Sequence, residues 1–164
     1  MRAQETKVLL PTRAAMALAV ASLALGDLLV KSIVVITMAD GRVLDYGVMN
    51  LRLAYNTGVA FGLGAALSPW IVVAATAVIV TALAVYLYRA TPGFSRMSRA
   101  GAVLLLGGAV GNLVDRMDGA GVVDYLHTGW FPTFNLADIF VTGGVGLLVL
   151  GSMRAPARAS EEGS

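Results

Sequence analysis

A chain of 164 residues that is 57% hydrophobic and only 13% charged carries about half the charge of a water-soluble domain, which excludes an ordinary soluble enzyme and points to a membrane. It has no cysteine and one histidine, His127, so disulfide scaffolds, thiolate metal sites and His-Glu-x-x-His zinc proteases are excluded. The net charge of +2 is small, and where the charges sit matters more than their sum.

Four apolar stretches predict four membrane-spanning helices, at about 14–38, 69–88, 100–118 and 136–153. The first is interrupted by Asp27 and Lys31, which stand one helical turn apart and can pair on one face. Its Ala/Leu-rich start also resembles a cleavable secretory signal, but the apolar pattern resumes after Lys31, which favours an uncleaved span. Residues 39–68 then form an outer segment with structure of its own. Asp40-Gly41 is a turn signal, Asn50-Leu51-Arg52-Leu53 alternates like a half-buried strand, and Asn56-Thr57-Gly58 is a second turn. Val59–Leu63 is small and apolar, and a short sheet lying on the membrane surface followed by an interfacial segment fits this pattern. The third stretch is short for a full span and continues through Asn112, Asp115 and Arg116, which lipid would not satisfy. Residues 115–135 read as an outer loop, and the tail 155–164 as disordered. The whole chain is expected to be one membrane domain.

Eight of the twelve basic residues precede the first span, fill the connection between the second and third, or follow the fourth. The positive-inside rule makes that side cytoplasmic, with both termini inside and both outer segments on the other face. Trp70, Tyr86, Tyr88 and Trp130 fall near span ends, where amphipathic rings collect.

Two carboxylates near the outer face stand out: Asp124, ending Val122-Val123-Asp124, and Asp138, in Phe134-Asn135-Leu136-Ala137-Asp138. An ionisable group at membrane depth marks a functional site by default. Two carboxylates in one pocket cannot both ionise easily, so they divide into an acid and a base. Asp138, at a helix start, is favoured as the ionised partner because the helix dipole stabilises an anion there.

Five blocks in order resemble lipoprotein signal peptidase, the signal peptidase II family. They are Asp27 with Lys31, then Asn56-Thr57-Gly58-Val59-Ala60-Phe61-Gly62, Gly107–Arg116, Val122-Val123-Asp124-Tyr125, and Phe134-Asn135-Leu136-Ala137-Asp138. The resemblance implies a fold of four transmembrane helices with a small extracytoplasmic β-sheet cradle and a short interfacial helix. It implies an aspartyl endopeptidase of the bacterial cytoplasmic membrane that removes the signal peptide from diacylglyceryl-prolipoproteins, cutting before the lipidated cysteine. Asp124 and Asp138 would be its catalytic pair, with no metal or cofactor. The expected partners are that substrate and membrane lipid, not nucleic acid, and the expected state is a monomer. Tyr125 stands where the family usually has phenylalanine, and Val59 where alanine is common.

For the remaining polar residues two roles compete. Asp27 and Lys31 are read as a structural ion pair. Asp115 next to Arg116 reads either as a second such pair or, with Arg116 and Asn112 on one helix face, as Asp115 structural and the other two donating to substrate. Asn56 is either a turn residue or a donor to substrate or to the aspartates, and Gly58 and Asn135 are assigned to the substrate site by family position. Gly107, Gly108 and Gly111 let helices approach closely or leave room for a signal-peptide helix. His127 receives no role. The rival functions are a catalytically silent lipoprotein-binding paralogue and a small transporter subunit.

Overall fold

The computed structural model describes residues 12–57 and 68–154. Helix α1 spans Thr12–Met38, α2 Pro69–Ala90, α3 Arg96–Arg116 and α4 Leu136–Met153, and all four are long and apolar enough to cross a membrane. At 1.5 Å per residue, α1 reaches about 40 Å, more than the hydrocarbon core requires. Three strands, β1 (Val43–Asp45), β2 (Asn50–Asn56) and β3 (Val122–His127), form an antiparallel sheet in the order β1-β2-β3. This is the four-helix architecture with a small sheet that the motifs implied. Gly58, the interfacial segment expected over Val59–Leu63 and the tail 155–164 lie outside the described residues.

The helices keep their outer faces bare. Leu25, Leu29, Ile33 and Ile36 of α1 and Val78 and Ile79 of α2 are all exposed. In water such continuous apolar area would be untenable, and in lipid it is the solvated surface. Association therefore depends on close packing, and α3 supplies it with small residues. A Cβ on Gly101 would lie 2.7 Å from the Gly144 carbonyl, one on Gly107 2.8 Å from Leu23 Cβ, and one on Gly111 2.8 Å from Asp27 Oδ2. The glycines thus bring α1 and α4 against α3, as the close-approach reading of Gly107, Gly108 and Gly111 expected.

Element boundaries differ from expectation in two places. α3 begins at Arg96, not near residue 100, because Ser95 caps it by accepting from the Ser98 amide at 3.1 Å. Arg96 and Arg99, expected in a loop, therefore occupy the first turn of the helix. The outer segment 115–135 is not plain loop either, since it contains β3. Strand alternation could not reveal β3, because Val122, Val123, Asp124 and Tyr125 are all buried. Val123 and Tyr125 pack on Val34 and Met38, so the sheet rests across the last turns of α1.

The two ends of the bundle are chemically distinct. The Arg13 guanidinium lies 4.3 Å over the Tyr88 ring, and Arg154 Nη1 lies 3.9 Å from Met97 Sδ. The start of α1, the end of α2, the start of α3 and the end of α4 therefore converge on one basic end. The sheet and both candidate aspartates occupy the other.

Candidate active site

The start of α4 is built almost wholly from side chains supplied by other elements. A helix leaves its first amides without internal partners. Here the Leu136 amide donates to the Tyr125 hydroxyl (3.2 Å), the Ala137 amide to Asp27 Oδ1 (3.0 Å) and the Asp138 amide to Asn135 Oδ1 (3.0 Å). Asp138 Oδ2 returns the last interaction by accepting from the Asn135 amide at 3.1 Å, which completes a capping box. Asp138 is thereby locked in place by the turn that begins its own helix.

Asn135 is fully buried and holds both carboxylates. Its backbone amide serves Asp138, and its Nδ2 donates to Asp124 Oδ1 at 2.7 Å. Asn56 Nδ2, from the end of β2, donates to Asp124 Oδ2 at 3.2 Å. The strand register puts it there, since Ala54 faces Asp124 and Asn56 faces Val122. Asn112 Nδ2, from α3, donates to Asp138 Oδ1 at 2.9 Å. Each aspartate therefore accepts from two amide groups, and Asn135 is common to both.

Lys31 lies behind this pair and is only 2% exposed. Its ammonium contacts Asp27 at 2.8 Å and Asp115 at 3.1 Å, and it donates to Asn112 Oδ1 at 2.7 Å. This corrects the expected arrangement of charges. Asp27 and Lys31 do pair, but Asp115 joins them and makes a three-charge cluster. Asp115 also accepts from the Val123 amide at 2.8 Å, which ties α3 to the strand carrying Asp124. The cluster reaches Asp138 through one residue, because Asn112 accepts from Lys31 and donates to Asp138. That link joins residues far apart in sequence and had no local signal.

Arg116 is buried at the end of α3, within electrostatic reach of Asp124, Asp115 and Asp138. Four carboxylates (Asp27, Asp115, Asp124 and Asp138) thus share the region with two cations, Lys31 and Arg116. An excess of carboxylate favours retention of a proton. The Asp124 carboxyl is pushed up to about 6, first by burial and then by the charge of Asp138, against the amides of Asn135 and Asn56. Burial likewise pushes the Tyr125 phenol up to about 12, so it stays neutral while it accepts from Leu136. The tyrosine that departs from the family pattern is thus a capping group for the helix that carries Asp138. Among the described residues no group of three or more His, Cys, Asp or Glu side chains is arranged to hold a metal ion.

One carboxyl raised toward neutrality beside one fixed by a helix cap is an arrangement suited to acid/base activation of water. Comparison with known proteins gives this chemistry its context. Residues 18–154 match the family model described as signal peptidase (SPase) II. The chain belongs to the signal peptidase II family. Its relatives include the lipoprotein signal peptidase of Symbiobacterium thermophilum, 43% identical over 108 residues, which cover 63% of this chain and 70% of that protein. Another is the lipoprotein signal peptidase of an Azoarcus species, 36% identical over 146 residues, covering 84% of this chain and 81% of the relative. A solved structure described as a bacterial membrane enzyme superposes with a TM-score of 0.72 at 26% identity, covering 92% of this chain and 94% of that one. As a signal peptidase II, the protein is a multi-pass membrane aspartic endopeptidase that processes lipoproteins.

Of the residues assigned to this signal peptidase site from sequence, Asp124, Asp138, Asn56, Asn112, Asn135 and Arg116 come together, and Gly58 lies outside the described residues. The Tyr125 hydroxyl, the Ala137 amide and the bridging role of Asn112 were missed. Only the unusual tyrosine in the Val-Val-Asp block offered a hint of the first.

Proposed function

We propose that Asp124 and Asp138 are the catalytic pair, and that the peptidase cuts diacylglyceryl-prolipoproteins just before the lipidated cysteine. The observation that carries this reading is Asn135, whose backbone and side-chain amides hold one carboxylate each. In the reactive state the pair shares one proton, held on Asp124, whose carboxyl burial pushes up to about 6. Asp138 takes a proton from a water as its oxygen attacks the scissile carbonyl carbon. Asp124 donates a hydrogen bond to the carbonyl oxygen, which becomes the oxyanion of the tetrahedral intermediate. Collapse breaks the C–N bond, and a proton from the pair passes to the leaving amine. The carboxyl product retains the water oxygen, and the aspartates return to one shared proton.

Of the residues assigned to the substrate from sequence, Asn56, Gly58 and Arg116 would contact its backbone around that pair, with Arg116 best placed by charge to stabilise developing negative charge. Asn135, fully buried, and Asn112, bonded to Lys31 and Asp138, would instead position the aspartates. The expected orientation has the basic end in the cytoplasm and the aspartates near the outer face of the cytoplasmic membrane. Its support is the collection of Arg13, Arg89, Arg96, Arg99 and Arg154 at the terminal ends of the four helices. In this reading the chain is one domain acting as a monomer.

The scissile bond must be held at the depth of the pair, and a hydrophobic signal helix alone can slide in register. Two acyl chains on the cysteine would fix that depth, since each buried CH₂ contributes about 0.8 kcal/mol. Removing the diacylglyceryl group is therefore expected to lower kcat as well as apparent affinity, because anchoring positions the bond as well as capturing the substrate. The test is cleavage by purified protein in nanodiscs, with lipidated and unlipidated forms of one prolipoprotein. Equal turnover of both at saturation would defeat the positioning reading.

Orientation is tested by single cysteines at Ser95 and Asp45 in this cysteine-free chain. An impermeant thiol reagent on intact cells should label position 45 and spare position 95. Labelling at 95 would reverse the topology.

A further inference from the structure

The basic end of the bundle contains a second polar site that peptide cleavage does not use. Arg13, Arg89, Arg96, Arg99 and Arg154 meet there, and no Asp or Glu occurs in segments 12–26, 69–114 or 139–154. Among the described residues, then, the helical segments at this end bring cations and no carboxylate to balance them. Between α1, α3 and the turn Thr91–Gly93 lies a cavity of about 250 Å³ lined by Thr12, Arg13, Thr91, Pro92 and Arg99.

Its donors are the two arginines. Thr91 is buried and its hydroxyl donates to the Leu87 carbonyl at 2.8 Å, so its proton is committed. The guanidinium of Arg13 is steadied over the Tyr88 ring. Arg99, in the first turn of α3, has its Nε sealed from solvent with no acceptor among the described residues. A buried guanidinium N–H without an acceptor is costly, and it marks a place where an acceptor would be bound. Guanidinium groups from two helices around one cavity suit a multidentate oxyanion, since their planar forks match phosphate geometry.

We propose that this cavity binds the phosphate of an anionic phospholipid headgroup in the leaflet that meets the basic end. The position favours a lipid over a free anion: the cavity sits where membrane-spanning helices end, the level at which headgroup phosphates lie. An occupant would join the start of α1 to the α2–α3 turn. Free phosphate shares the recognising chemistry, so the experiment separates the two sources. Only the name of the leaflet depends on the orientation proposed above, and none of the readouts below depends on cleavage.

The full chain in neutral detergent would be titrated with phosphatidylglycerol, phosphatidylcholine and inorganic phosphate, with bound lipid read by native mass spectrometry and stability by Tm. Phosphatidylglycerol should bind and raise Tm by mass action, with phosphatidylcholine much weaker. Arg99→Gln should weaken phosphatidylglycerol binding by about tenfold or more, and the Arg13→Lys/Arg99→Lys pair, which keeps the charge, by less. If Arg99→Gln does not fold, Arg13→Gln provides the same reading from an exposed position. Wild-type phosphatidylglycerol affinity in a folded glutamine variant, or equal binding of the two lipids, would overturn the site. Saturation by inorganic phosphate with no further effect of phosphatidylglycerol would overturn the lipid assignment.

Discussion

Asp124→Asn and Asp138→Asn should each reduce cleavage of a diacylated prolipoprotein to below about one-tenth of the wild-type rate, and in practice to near background. Each carboxyl has a task that the other cannot take over. In the proposed reaction Asp138, fixed by its capping box, accepts the proton from water, and Asp124, whose carboxyl burial pushes up to about 6, supplies the proton needed at the carbonyl oxygen. A tenfold loss is only about 1.4 kcal/mol, less than acid/base catalysis normally supplies, so a variant above that threshold would remove its residue from the pair. The fold should survive. An asparagine at 124 opposes one of the two donors now on Asp124, Asn135 Nδ2 or Asn56 Nδ2, which costs about 1 kcal/mol. Against that, the substitution removes repulsion between the carboxylates.

The same pair sets a pH dependence. The folded-state value for Asp124 is raised to about 6 from 3.8, so its proton is present below that pH and lost as pH rises through it. Activity that needs this proton should therefore fall on the alkaline side of kcat/KM, with the limb starting near the raised value. The stability effect has the same sign. Burial of Asp124 is best tolerated while it is neutral, and the folded state loses that advantage as pH rises through about 6. A kcat/KM profile with no alkaline limb would contradict Asp124 as the proton carrier.

Lys31→Ala should destabilise the protein by about 3–5 kcal/mol, the usual range when one member of a buried charged cluster is removed. The ammonium is in contact with Asp27 and Asp115 and donates to Asn112, so its loss strands two carboxylates and leaves Asn112 Oδ1 with the Asn135 Nδ2 donor at 3.2 Å in place of two donors. Cleavage should fall with it, because Asn112, which donates to Asp138, loses one of the two donors that hold its oxygen. The three-charge cluster also changes what a compensating substitution can do. If Asp27 and Lys31 formed an isolated pair, replacing both by apolar residues would restore most of the stability. With Asp115 present, that double variant removes the cation in contact with its carboxylate, leaving the Val123 amide and the charge of Arg116, and it removes the acceptor of the Ala137 amide. Asp27→Asn/Lys31→Met keeps an oxygen for Ala137 and should recover more than Asp27→Leu/Lys31→Leu. Unfolding in detergent reads both, and a Lys31→Ala protein as stable as wild type would contradict the cluster.

The amino-acid sequence by itself determined the elements whose cause is local. Runs of apolar residues long enough to cross a bilayer make four helices wherever they are placed, because a lipid-exposed backbone must bond within its own segment. The alternation over Asn50–Leu53 and the turn at Asp40-Gly41 likewise report β2 and its approach, with Gly41 at a positive φ of 79°. The two aspartates were legible because charge near an apolar span is expensive enough to need a reason. Tertiary structure decided everything that joins distant positions. The first four residues of β3 are buried one after another, so it carries no alternation, and it is covered by pairing with β2 and packing on α1. Asp115 had an arginine beside it in sequence, yet the packing of α3 on α1 at Gly111 brings Lys31 within 3.1 Å of it. The raised carboxyl of Asp124 is of the same kind, since it follows from its burial and from the charge of Asp138 beside it. Spacing along a chain specifies which groups share a helix face, but which charges meet in a low-dielectric interior depends on how closely the helices can approach, and here the glycines of α3 set that distance.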